Sequence, residues 1–182
     1  MRLFVAIPVE GAARAEMERF AEGLEGRVVD PDHWHITLAF LDDQPEEVAE
    51  EVALTLGAIE VFPFIWRVSG AGVFGGNQPR NVHAAIDPSE QLVGLRDRVR
   101  RAVRQSGVTL RQERFVPHVT LARFNARLPG VGLDRWLAQR AAVSLGPFPA
   151  ERFVLYSSEL TPEGPVYSEL VEYPLALDHT IL

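Results

Sequence analysis

Two stretches of this chain repeat each other: His35-Ile36-Thr37-Leu38-Ala39-Phe40-Leu41 and His118-Val119-Thr120-Leu121-Ala122-Arg123-Phe124. In each, β-branched and apolar residues follow a turn-type residue, which predicts a short strand. Side chains on a strand alternate between faces, so a His and a Thr two positions apart point the same way. Each copy therefore presents an imidazole and a hydroxyl on one face. Ile36, Leu38 and Phe40, or Val119 and Leu121, are expected on the other. A fold that buries both apolar faces leaves the two His/Thr faces able to meet across one cleft.

The rest of the chain sets bounds on that arrangement. At 182 residues it can bury one good core, or two small similar lobes sharing one. Its 47% hydrophobic and 24% charged residues are an ordinary globular composition. The absence of cysteine excludes disulfides and thiolate metal sites. The apolar run in Met1–Pro8 is too short for a signal peptide and reads as a buried first strand, and no run approaches the roughly 18 apolar residues of a membrane span. A cytoplasmic protein is expected. The net charge of −7 argues against broad wrapping of nucleic acid but does not exclude a small pocket that holds one phosphate.

The periodicity places the other elements. Ala13, Met17, Phe20, Ala21 and Leu24 fall on one face of a helix ending near Gly26. A second helix opens at Asp42-Asp43-Gln44-Pro45, with Glu46 and Glu47 suited to its dipole and Val48, Val52, Leu56 and Ile59 as its inner stripe. Phe62–Val68 alternates as a strand. The following Gly70-Ala71-Gly72-Val73-Phe74-Gly75 spells GxGxxG, but a dinucleotide site needs a helix next. Gly76-Asn77-Gln78-Pro79 follows instead, then a strand over 82–86, so the glycine run reads as a flexible loop. Asp87-Pro88-Ser89-Glu90 starts a third helix, with Asp87 as its expected cap, Leu92, Leu95, Val99, Ala102 and Val103 inside, and Gly107 at its end. Arg96, Arg100 and Arg104 line its outer face, which reads as a solvated surface. A short helix over 133–140 and a terminal hairpin with a long loop, Arg152–Ser158 and Val166–Tyr173, complete the chain. The expected fold is α+β and bilobal: one pseudo-symmetric domain over 1–182, with two antiparallel sheets lining a central cleft and helices packed outside.

Histidine, with an ordinary pKa of about 6.5, is the natural proton carrier near neutral pH. Two of them across a substrate can act as base and acid in a displacement at phosphorus, with the Thr hydroxyls on the non-bridging oxygens. Three other readings stand beside this one. The histidines can be incidental to a repeated core strand. The cleft can be a non-catalytic pocket that binds the phosphate of RNA ends or nucleotides. His33 and His35, with His118 or Asp32, can be metal ligands. Against the last, the second copy has Val116 where a matching His would stand.

The paired motif with its flanks resembles the two-histidine (2H) phosphoesterase superfamily, and within it the RNA 2',3'-cyclic phosphodiesterases, also called 2'-5' RNA ligases. The likeness runs from Arg2-Leu3-Phe4-Val5-Ala6-Ile7 and His35-Ile36-Thr37-Leu38 through Gly72-Val73-Phe74 and Pro79-Arg80. It continues in Phe115-Val116-Pro117-His118-Val119-Thr120-Leu121-Ala122-Arg123, Phe153-Val154-Leu155-Tyr156-Ser157-Ser158 and Gly164-Pro165-Val166-Tyr167. The resemblance implies a bilobal fold with a water-filled cleft, no cofactor and no metal. It implies opening of RNA 2',3'-cyclic phosphates to 2'-phosphomonoesters, and reversible 2'-5' ligation when a 5'-hydroxyl replaces water. His35 would then be the proton donor, His118 the proton acceptor, and Thr37 and Thr120 the phosphate holders; spacing alone does not divide acid from base. The expected partners are RNA ends or small nucleotides carrying the cyclic phosphate, met by a monomer without a membrane. Trp34 departs from the family's aliphatic residue and is expected to alter the cleft's rim. Arg123 matches the family as a substrate-binding residue, but strict alternation points it away from His118 and Thr120, so that role needs a strand end or twist.

Overall fold

The structure, a computed structural model, describes residues 1–124 and 131–175. Its elements in chain order are β1 (Arg2–Pro8), α1 (Gly11–Phe20), β2 (Arg27–Val28), β3 (His35–Asp43), α2 (Glu46–Leu56), β4 (Phe64–Phe74), β5 (Asn81–Ile86) and α3 (Glu90–Gln105). There follow β6 (His118–Arg123), α4 (Val131–Arg140), β7 (Ser144–Ala150), β8 (Arg152–Thr161) and β9 (Gly164–Pro174). The strands form two antiparallel sheets, ordered β3-β1-β8-β9 and β2-β6-β5-β4-β7. The α+β class with two antiparallel sheets is thus as expected. Each sheet draws strands from both halves of the chain, because β8 returns to flank β1, with β9 beyond it, while β4 and β5 join β6.

One contiguous core lies between these layers. It takes Leu3, Val5 and Ile7 from β1, Ile36 and Leu38 from β3, Val119 and Leu121 from β6, and Val82 and Ala84 from β5. Helix α3 supplies the residues its periodicity predicts, Leu92, Leu95, Val99, Ala102 and Val103, and touches β3 of one sheet and β4 of the other. It thereby ties together the two walls that carry the motifs. The reverse face of the first sheet holds a small second cluster, Phe4, Ala6, Val154 and Tyr156, with Tyr167 against it.

Several local expectations are corrected. Helix α1 stops at Phe20, since the chain turns through Gly23 at φ 78°, a left-handed conformation glycine adopts without a Cβ clash. Ala21 and Leu24 still pack on the core from beyond the helix end. The glycine run is strand: β4 continues through Gly70–Phe74, paired with β5 as Gly72↔His83 and Val73↔Val82. Strand β7 has no counterpart among the sequence expectations, and its Gly146, Pro147 and Pro149 are poor strand formers. It lies at a sheet edge, where a missing N–H costs no ladder bond. The terminal hairpin closes through two residues, Pro162 and Glu163, with Thr161 opposite Gly164, rather than through a long loop.

The third helix is capped two residues later than expected. Ser89, not Asp87, is the N-cap, and its Oγ accepts a hydrogen bond from the Leu92 N–H at 3.3 Å. Replacing a capping Ser by Ala costs about 1 kcal/mol. Urea unfolding should therefore show Ser89→Ala lowering stability by about that amount while Asp87→Ala leaves it nearly unchanged; the reverse order would reject this cap.

Candidate active site

A cleft of about 290 Å³ opens between the sheets, and its lining includes His35, Thr37, His118, Thr120 and Arg123. All four His/Thr residues are half-buried. The two motifs therefore share one cavity, in contact with solvent rather than sealed in separate interiors. Their strands meet at the floor, where β3 approaches β6.

Each motif carries the same irregularity. In β3, Val5 pairs with Ala39 and Ala6 with Thr37, which leaves Leu38 as an extra residue. In β6, Val82 pairs with Ala122 and His83 with Thr120, which leaves Leu121 extra. A β-bulge of this kind reverses the alternation beyond it. Leu38 and Ala39 are both buried, as are Leu121 and Ala122, and the next residues, Phe40 and Arg123, swing to the His/Thr side. The bulge supplies what strict alternation denied to Arg123. It also overturns the expectation for Phe40: this side chain leaves the core, is 60% exposed, and stands at the cleft mouth as the counterpart of Arg123.

The two imidazoles are held in the same manner. His35 Nδ1 lies 2.6 Å from the His33 carbonyl oxygen, and His118 Nδ1 lies 2.8 Å from that of Val116. A carbonyl only accepts, so Nδ1 carries the hydrogen and donates it. This leaves Nε2 as the nitrogen that gains and loses a proton. Burial lowers the pKa of both rings. For His35 the positive charges of Arg123, His118 and His33 add to burial, outweighing the bond to the His33 carbonyl and bringing it down to about 4.

Aromatic residues that sequence reading gave no role form the walls. On the first sheet, His35 packs 4.9 Å from Phe4 and meets the edge of Tyr167 at 5.5 Å (centroid distances). On the second, Phe74 stacks on His83 at 4.3 Å, and both border His118, at 4.8 and 5.1 Å. His83 is buried, and its Nδ1 has no hydrogen-bond partner among the described residues. Burial, then the neighbouring charge of His118, lowers it to about 4. A Cβ on Gly72 would come within 2.9 Å of His83 Nε2, so the glycine makes room for this ring. Strand pairing alone places His83 opposite Thr120; nothing in its own sequence context signals the position.

The places of Trp34 and Asp32 are also clear. Trp34 is buried in the main core and does not shape the rim. Asp32 is engaged by Arg14, and among the described residues no three His, Cys, Asp or Glu side chains gather as metal ligands. No described helix is long and apolar enough to cross a membrane.

The family model of the 2'-5' RNA ligase superfamily matches residues 8–161. The chain belongs to that family. It is 30% identical to an RNA 2',3'-cyclic phosphodiesterase of Archaeoglobus fulgidus over 93% of this chain and 98% of the relative. To the protein of the same name from Thermotoga maritima it is 31% identical, over 94% of each. Among solved structures, a Thermus thermophilus protein superposes with a TM-score of 0.78 at 31% identity, covering 98% of this chain and all of the other. Escherichia coli LigT complexed with 3'-AMP gives 0.74 at 26%, covering 97% and 98%. The family resemblance read from the paired motifs is borne out.

Two outcomes follow. Since His35 and His83 titrate at about 4 in the fold and near 6.5 in the unfolded chain, the unfolded state binds more protons between those values. Stability should fall as pH drops from 6.5 towards 4, and less steeply in His83→Asn; a flat denaturation midpoint from pH 7 to 5 would contradict the burial of these rings. Gly72→Ala should drive His83 against His118, costing about 1–3 kcal/mol of stability by overpacking and moving the His118 imidazole resonances in NMR.

Proposed function

We propose that this protein is a metal-independent cyclic phosphodiesterase that opens the 2',3'-cyclic phosphate of an RNA end to a 2'-phosphomonoester, with His35 and His118 as its acid and base. The observation that carries this reading is the convergence of two imidazoles, each fixed at Nδ1 by a backbone carbonyl, on one cavity with Thr37, Thr120 and Arg123. Family membership and the names of the relatives support a hydrolase acting on cyclic phosphodiester bonds.

The division of labour follows the family resemblance. His118, neutral at Nε2, takes a proton from water as the water oxygen bonds to phosphorus. His35, protonated at Nε2, gives its proton to the 3' oxygen as the P–O3' bond breaks. The product is a free 3'-hydroxyl and a 2'-phosphomonoester, and solvent carries a proton back from His118 to His35. The Thr37 and Thr120 hydroxyls and the Arg123 guanidinium hold the non-bridging oxygens as charge shifts onto them.

The low pKa of His35 fits this scheme through the substrate's own charge. A phosphodiester is an anion, and an anion beside an imidazole favours its protonated form. It also offsets the Arg123 charge that opposes that form. Substrate and proton are thus taken up together, so the acid is charged when a leaving oxygen is present. A 5'-hydroxyl in the place of water would make a 2'-5' linkage by the same steps, and reversible ligation belongs to this reading. So does action as a single two-lobed domain, a cytoplasmic monomer.

The test is hydrolysis of a 2',3'-cyclic mononucleotide and of a cyclic-ended oligonucleotide in excess chelator. Turnover should persist, with a bell-shaped pH dependence, and His35→Ala or His118→Ala should each lower it by about 10²–10⁴-fold without unfolding the chain. Near-normal rates in either variant would end the proton-transfer role, and loss of turnover under chelation would favour a metal. Tight binding of nucleoside 2'-phosphates with no turnover of any cyclic ester would make the cleft a phosphate-binding module instead.

A further inference from the structure

The arginine stripe of α3 is not a uniformly solvated face. Arg100 is only 8% exposed and donates to the Arg111 carbonyl at 2.5 Å, while Arg96 lies over the Phe115 ring at 5.0 Å. Together with Arg101, Arg104 and Arg114 they line a groove of about 850 Å³, five guanidinium groups against the two carboxylates of Asp97 and Glu113. This concentration of positive charge stands on a chain whose net charge is −7. Burial, and then the like charges of Arg96 and Arg104, hold Arg100 below its usual range, and the opposing charges of Glu113 and Asp97 do not make up the difference.

The groove also leads to the cleft. A recess of about 350 Å³ joins the two, with Arg96, Arg100 and Arg114 at one end and Thr37, Phe40 and His118 at the other. The same Thr37, Phe40 and His118 line the cleft itself. Along the helix, Arg96, Arg100 and Arg104 recur every four residues, about 6 Å of axial rise each. That repeat suits successive phosphates of an extended single strand, and the exposed Phe40 ring stands at the junction as a surface for a base.

We propose that this groove binds the body of a single-stranded RNA whose 3'-terminal cyclic phosphate sits in the cleft, with Arg101, Arg104 and Arg114 holding backbone phosphates upstream of the reacting end. The proposal rests on the phosphodiesterase reading for the cleft and makes a polynucleotide, rather than a free cyclic nucleotide, the substrate the surface is built for. A 2',3'-cyclic phosphate closes the 3' end of a strand, so the remainder of that strand leaves the cleft on its 5' side. Another recess adjoining the cleft pairs its two arginines, Arg27 and Arg123, with two carboxylates, Asp30 and Glu163, so among the described residues the α3 groove carries the larger excess of positive charge.

The experiment uses the full chain and a variant carrying Arg101→Gln, Arg104→Gln and Arg114→Gln, all three exposed and outside the cleft. Fluorescence anisotropy would follow a labelled ten-nucleotide RNA ending in a 2'-phosphate, which is the product and is not consumed, and calorimetry a nucleoside 2'-monophosphate. The triple variant should bind the decamer on the order of 100-fold more weakly at about 0.1 M salt, and the slope of log K against log salt should shrink by about 2. Affinity for the mononucleotide should not change. An unchanged decamer affinity and slope would overturn the proposal, as would a wild-type protein that binds the decamer no more tightly than the mononucleotide. Turnover of the cyclic mononucleotide and of a cyclic-ended decamer is measured in parallel: absence of both would defeat the phosphodiesterase reading, while the binding ratio still decides the groove.

Discussion

An imidazole whose Nδ1 hydrogen is committed to a carbonyl can exchange protons only through Nε2, and both motif histidines are committed in this way. The partner carbonyl in each case belongs to the residue two positions before the histidine, at the point where the chain enters the strand. The tautomer is therefore set by backbone that the strand itself orders. Everything else about the cleft depends on it, because an imidazole free to turn over would offer either nitrogen and neither orientation.

The sheets then make two such strands face each other. Each brings its apolar residues to the common core and its His and Thr to the gap, and the bulge after each Thr turns a third side chain inward. The two walls differ in that third position. One supplies an aromatic ring, Phe40, and the other a cation, Arg123. Backbone pseudo-symmetry thus yields an asymmetric cleft, and the asymmetry reaches the histidines, since Arg123 bears on His35.

Much of this was legible in the sequence, for reasons that differ by residue. His35, Thr37, His118 and Thr120 were readable because strand alternation holds over three residues whatever the pairing. Phe40 was not, and Arg123 was reached only through the family resemblance, because an extra residue in a strand is a property of its register with β5 or β1, and no local pattern encodes it. The glycine run of β4 reads as loop until β5 brings His83 against Gly72 and gives the missing side chain a purpose. His83 itself, a lone histidine among apolar residues, has the appearance of core. The arginines of α3 were visible as a stripe, yet only the fold shows that one of them is buried and that a groove runs from the stripe to the cleft.

The sheet that carries His35 has β1 at its inside, between β3 and β8. On the ribosome, β1 and β3 emerge early and can zip together, but the other edge of β1 stays open until the last third of the chain arrives. The first half of the site is therefore built on a template that only late-made residues complete. Cutting the gene between the two motifs would not release two independent halves, because each piece would lack strands that the other supplies.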